Sequence, residues 1–189
     1  MGGMKRMAAL VAFATSLAGA GVTPEPRRVE WTGELFALED PVRIDAAHPE
    51  AQPAARRLAE ALRMERRRAA VRSRPRLGAI RLAIDPRETR PEGYRLETSA
   101  AGAVIRAGTA RGLLHGVGTL LQLIDAAGRV AGARIEDWPE LAFRGVHICV
   151  FPGTDLRQVE RAIRMAARYK HNAVALEIDR KSTRLNSSH

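Results

Sequence analysis

The sequence predicts an α/β fold in two successive parts, a two-layer α/β domain over residues 27–136 and a parallel strand–helix–strand unit over 142–178. Three observations predict it. Short alternating segments share residues 27–136 with two stretches of helical periodicity, the pattern of a layered domain. Asp137-Trp138-Pro139 reads as a Pro-marked linker that closes this domain. Beyond it, two apolar runs without clean alternation flank one helical pattern, as in parallel strands covered on both faces.

Residues 1–20 have the layout of a secretory signal peptide. Lys5 and Arg6 precede an apolar run over 7–17, and Ala18-Gly19-Ala20 supplies a small-residue cleavage site. The run is too short to cross a bilayer, so a secreted or periplasmic location without a transmembrane span is expected. A turn-rich leader over 21–26 follows. Over 29–44 the pattern alternates loosely, with Pro41 separating two short strands.

A helix is expected over 54–70. Pro53 suits its first turn, Leu58, Ala61, Leu62 and Ala69 share one face, and Ser73-Arg74-Pro75 breaks it. Residues 79–84 alternate as a strand that stops at Asp85-Pro86. Segments 93–98 and 103–107 form a hairpin about Ala101-Gly102. Thr109 is a natural N-cap, and Leu113, Val117, Leu120, Leu121 and Ile124 follow at helical spacing. Gly112 and Gly116, one turn apart, let this helix approach a sheet or another helix closely. In the second part, a strand over 142–150 leads to a helix over 156–169 and a strand over 173–178. Thr154 or Asp155 caps that helix, and Val159, Ala162, Ile163 and Ala166 form its apolar face. A right-handed crossover would join the two strands.

Apolar residues make up 46% of the chain, which excludes general disorder. The single cysteine, Cys149, excludes an intrachain disulfide and reads as a small buried hydrophobe in an apolar strand. The formal charge of +10 falls to about +6 once Lys5, Arg6 and the net two positives of residues 179–189 are set aside. Nine arginines lie between Arg56 and Arg76, against Glu60 and Glu65. With 4% aromatic residues and no nucleic-acid motif, this cluster reads as a solvated helix face. A polyanion-binding module centred on Arg63, Arg66, Arg67 and Arg68 is the competing reading. His147 and His171 read as structural or surface groups, and Glu177 as a carboxylate near a strand end with no visible partner. No catalytic residue is assigned, and no cofactor or metal-binding motif is expected. Residues 179–189 are polar, aperiodic and unlike the Ala/Arg-rich text before them; they resemble a translated sequencing adapter. A non-native tail on a fragment of a longer protein is expected.

Three groups of residues carry a family resemblance. The first is Gly93-Tyr94-Arg95-Leu96 with Val104-Ile105-Arg106-Ala107, and the second runs from Thr109 through His115 to Leu123. The third is Asp137-Trp138-Pro139, Phe143-Arg144-Gly145 and Ala167-Arg168-Tyr169-Lys170-His171-Asn172. In this order they resemble the accessory N-terminal domain of glycoside hydrolase family 20 and the entry into its (β/α)8 catalytic barrel. The resemblance implies a family-20-like domain over 27–136, a truncated TIM barrel over 142–178 and a parent β-N-acetylhexosaminidase. Such enzymes use the substrate's own acetamido group as nucleophile, helped by an Asp-Glu pair after the fourth barrel strand. This chain reaches only the second strand, so the fragment itself is expected to be inactive. The partner implied is an N-acetylhexosamine-containing glycan. Arg144 matches a family arginine that binds sugar hydroxyls, a role suited to the rigid donor fork of a guanidinium. The family commonly has an aspartate where Cys149 stands and a Ser-Arg-His run where Val150-Phe151-Pro152-Gly153 stands, which changes the pocket floor. A different accessory-domain glycosidase, such as an α-glucuronidase or a hyaluronidase-like enzyme, is the nearest alternative.

Overall fold

Tyr94-Arg95-Leu96-Glu97-Thr98-Ser99 alternates apolar or neutral with charged side chains, and this alternation seats the middle of the sheet. In the computed structural model, Tyr94, Leu96 and Thr98 are buried while Arg95 and Glu97 face out. The structure describes residues 21–65, 67–72 and 80–179; residues 1–20, expected to be a signal peptide, Ser73-Arg74-Pro75, expected to break a helix, and residues 180–189 lie outside them. The chain divides after Pro139 into two compact units.

The first unit runs β1 (Arg28–Ala37), β2 (Val42–Asp45), α1 (Gln52–Met64), β3 (Ala69–Arg72), β4 (Ile80–Ile84), β5 (Tyr94–Ser99), β6 (Gly102–Ala107), α2 (Ala110–Gln122) and β7 (Arg129–Asp137). Its strands form one mixed sheet in the order β1-β7-β5-β6-β4-β2-β3. β2, β3, β4 and β6 pair in parallel, whereas β1, β7, β5 and β6 pair antiparallel. Both helices pack on the sheet and on each other. Ile44, Leu58, Leu62, Ile80, Leu96, Ile105, Leu113 and Leu120 are fully buried in the resulting core. The expected two-layer arrangement is what the first unit has.

Local chemistry explains most boundaries. The β5–β6 hairpin turns at Ala100-Ala101, with Gly102 at φ 127°, where a side chain is disfavoured. Thr109 starts α2 by accepting a hydrogen bond from the Gly112 amide at 3.2 Å, and its hydroxyl donates to the Pro91 carbonyl. The close approach foreseen for Gly112 and Gly116 occurs at Gly93 of the strand entry and at Ile105 and Tyr94 of the sheet.

Three expectations need correction. The helix predicted over 54–70 ends at Met64, and Ala69 lies in β3 rather than on a helix face. β3 exists because Val42, Arg43, Ile44 and Asp45 offer it a parallel partner edge, a tertiary pairing that overrides the helical preference of Ala-rich text. No element is expected over 129–137 from periodicity, yet β7 bridges β1 and β5. Its small residues, Ala131, Gly132 and Ala133, blur the alternation that would mark a strand. Finally, Asp137 and Trp138 are not linker. Asp137 ends β7 and is buried, and Trp138 holds three arginines over its ring.

The second unit comprises β8 (Gly145–Val150), α3 (Leu156–Arg168) and β9 (Ala173–Ile178). β8 and β9 pair in parallel with Gly145 opposite Ala173 and Val150 opposite Ile178. Asp155 caps α3 by accepting from the Arg157 amide at 2.9 Å, and Thr154 accepts from the Phe151 amide at 2.9 Å. Val159 and Ala166 are buried beneath the helix, while Ile163 remains 36% exposed. The strand begins three residues later than the predicted 142–150 and alternates cleanly, with Val146, Ile148 and Val150 half-buried and His147 and Cys149 exposed. Cys149 is therefore not the buried hydrophobe expected of it, because the face it shares with His147 is not covered by α3.

Candidate functional site

Among the described residues, three groups of polar side chains bear on function. In the first unit the ends of β5 and β7 carry a buried hydrogen-bonded set. The Tyr94 hydroxyl lies 2.6 Å from Thr119 Oγ1 and donates to Asp137 Oδ2 at 3.1 Å, and the Arg27 amide donates to Asp137 Oδ1 at 3.3 Å. Burial and the Asp137 charge raise the Tyr94 phenol well above its usual range, so it stays a donor.

Beside it, Arg90 donates to Glu88 Oε1 at 2.6 Å and to Glu136 Oε1 at 2.8 Å while its guanidinium stacks 4.1 Å from the Trp138 ring. The hydrogen bonds from Arg90 hold both carboxyls below the ordinary glutamate range. This set fixes the end of the first unit. The open groove on the sheet formed by Arg28, Glu30, Arg95, Arg134 and Glu136 is likewise spent on pairing: Arg28–Glu136 and Arg134–Glu30 both close at 3.1 Å. Some arginines of the basic cluster are also committed, since Arg68 meets Asp40 at 3.0 Å and Arg67 donates to the Ala126 carbonyl at 3.3 Å.

Arg144, the residue given a sugar-contacting role, stands immediately before the first residue of β8. Its Nε donates to the Lys170 carbonyl at 2.8 Å and its Nη1 to the Leu141 carbonyl at 2.6 Å. Its backbone pairs with Asn172 in both directions, amide to Asn172 Oδ1 at 2.9 Å and carbonyl from the Asn172 amide at 2.9 Å. Asn172 Nδ2 in turn donates to the Ala142 carbonyl at 2.7 Å. The turn they clasp is closed by Lys170, whose φ of 63° ends α3 in the left-handed conformation usually given to glycine. His171 serves the same turn, with Nδ1 3.2 Å from the Ala166 carbonyl, in keeping with a structural histidine. The sequence marks both members of the Arg-Asn clasp, since Arg144 and Asn172 lie in the segments that carry the family resemblance, but not their pairing.

The third place is the exposed face of β8 and β9. His147 and Cys149 alternate onto this face, and the parallel register sets Glu177 opposite Cys149. His147 Nε2 is 3.1 Å from Glu177 Oε2, and Cys149 Sγ is 3.7 Å from the same oxygen. Glu177 thus has the partners that sequence spacing could not show, since residues 28 positions apart meet only through strand pairing. Cys149 and Glu177 lie in the C-terminal halves of their strands, the end at which parallel α/β folds place their ligands, and His147 lies two residues before Cys149. Arg144 lies at the opposite end.

Comparison with known proteins places these features. Residues 20–138 match the family model described as glycosyl hydrolase family 20, domain 2. A β-hexosaminidase of Porphyromonas gingivalis is 28% identical over an alignment of 141 residues that covers 67% of this chain and 18% of that protein. Among solved structures, a Streptomyces plicatus β-hexosaminidase in complex with the product GlcNAc is 34% identical, with a TM-score of 0.73 over 81% of this chain and 33% of its own. The family 20 β-N-acetylhexosaminidase of Streptomyces coelicolor is 33% identical, with a TM-score of 0.70 over 82% of this chain and 34% of its own. The chain thus spans about a third or less of the length of these relatives. With a family match over residues 20–138, more than half of its length, the chain belongs to glycosyl hydrolase family 20.

Proposed function

We propose that this chain is the leading portion of an exported β-N-acetylhexosaminidase: the family's N-terminal domain followed by the first strand, helix and second strand of a (β/α)8 barrel. The observation that carries the reading is the parallel β8–α3–β9 unit placed directly after the family 20 domain. The structural match to the Streptomyces plicatus enzyme supports it, because 81% of the chain is more than the 119 of 189 residues in the family match. Residues 1–20 supply the export signal in this reading, and residues 179–189 are foreign to the enzyme.

The substrate class is a glycan ending in β-linked N-acetylhexosamine, the sugar type that the Streptomyces plicatus complex holds as product. Hydrolysis needs a general acid/base and, in this family's resemblance, an aspartate to orient the acetamide. A full barrel takes about 250 residues, so both groups belong to chain that follows Ile178 in the parent. Arg144 enters the proposal as the substrate-binding residue, its guanidinium a rigid donor fork for sugar hydroxyls; in this structure the same group donates to the carbonyls of Lys170 and Leu141.

The test compares this chain with the gene product read onward from Ile178, using a chromogenic N-acetyl-β-glucosaminide. Turnover by the longer protein and none by this chain is expected. Turnover by this chain alone, or a longer protein that cleaves only sugars without an acetamido group, would refute the reading.

A further inference from the structure

We infer that His147, Cys149 and Glu177 form a zinc site on the exposed face of β8 and β9. One imidazole nitrogen, one sulfur and one carboxylate oxygen from these residues lie within 4.8 Å of one another. Tetrahedral zinc with bonds of ~2.0–2.3 Å sets its ligand atoms ~3.3–3.7 Å apart. The two separations to Glu177 lie close to that range: 3.1 Å from His147 Nε2 to Glu177 Oε2, and 3.7 Å from Cys149 Sγ to the same oxygen.

The backbone makes the arrangement reproducible. His147 and Cys149 are two apart on one strand and so share a face. Glu177 faces Cys149 across the parallel ladder, and the residue opposite His147 is the small Ala175. A ladder fixes these Cα positions far better than a loop would, which is what a first coordination shell requires. The donor set also selects the ion. A thiolate with an imidazole and one carboxylate suits zinc, whereas calcium and magnesium demand oxygen ligands throughout. All three residues are exposed, so a fourth position stays open to water, as in zinc sites with three protein ligands. On coordination the Cys149 thiol gives up its proton to the buffer, and its sulfur becomes the metal ligand. In the proposed parent barrel this face turns inward; the inference concerns the chain in which the face is open, and the test uses that chain.

Because Cys149 is the only cysteine, its thiol reports the site without ambiguity. The test measures the rate at which a disulfide reagent modifies Cys149 in the full 189-residue chain, with and without one equivalent of zinc. Zinc is expected to slow modification at least tenfold, with a chelator restoring the original rate. The H147A/E177Q double variant is expected to lose that protection. An unchanged rate in the unsubstituted chain, or equal protection in the double variant, would overturn the site. The first of these needs no variant to fold.

Discussion

Replacing Gly112 with alanine sets two magnitudes against each other. Alanine is favoured over glycine inside a helix by ~1 kcal/mol, and Gly112 lies in the first turn of α2, so propensity alone predicts a more stable protein. Packing predicts the reverse. A Cβ at this position would sit 2.3 Å from the Gly93 carbonyl oxygen and 2.8 Å from Ala107 Cβ. That is about 1 Å inside ordinary contact. The opposing atom is backbone, in the segment that leads into β5, so it cannot swing aside as a side-chain end would. Overpacking of this kind costs ~1–3 kcal/mol, and the upper end applies where the neighbour is rigid. The net expectation is a loss of ~1–2 kcal/mol, or a fall in Tm of ~4–10 °C for a unit of this size. Gly116→Ala meets Ile105 Cγ2 at 2.4 Å, a side-chain atom, and should therefore cost less than Gly112→Ala. Urea unfolding of the full chain, followed by far-ultraviolet circular dichroism, measures both. A Gly112→Ala variant as stable as the parent, or less damaged than Gly116→Ala, would refute the argument that the backbone carbonyl sets the limit.

Two further outcomes follow from the ion pairs and the clasp. Hydrogen bonds from Arg87 hold the Asp85 carboxyl near about 2, against an ordinary 3.8. A depressed folded value means that the stabilisation is complete above pH ~4 and is lost as pH falls from there towards 2. The urea midpoint should decline over that window, and Arg87→Ala should flatten the decline; parallel curves would count against the pairing. Arg144→Ala removes two charge-assisted bonds to backbone carbonyls, for which ~1–2 kcal/mol is expected. Amide-exchange protection in β8 and β9 should then drop roughly tenfold. Unchanged protection, with only glycan binding by the longer protein impaired, would refute the clasp and leave Arg144 with the sugar-contacting role alone.

Local chemistry made several elements legible in the sequence. The β5–β6 hairpin announced itself through strict alternation and Gly102, α2 through its Thr109 cap and apolar spacing, and β9 through an apolar run whose bounds match the structure. The paired glycines of α2 likewise stated that something would press close. These features depend on residues near one another in the chain, where steric limits and hydrogen-bond reach act directly.

Only the tertiary structure decided the rest. β3 is a strand because β2 lies beside it, and β7 is a strand because β1 and β5 need a partner between them. Neither condition is written in the local text. Trp138 changed from linker to anchor because Arg90, 48 positions earlier, stacks on it. Arg144 became a clasp, and Glu177 gained His147 and Cys149, through parallel pairing across α3. Sequence fixes what each side chain can do, but which groups meet depends on register, and register emerges only when strands from distant parts of the chain share one sheet.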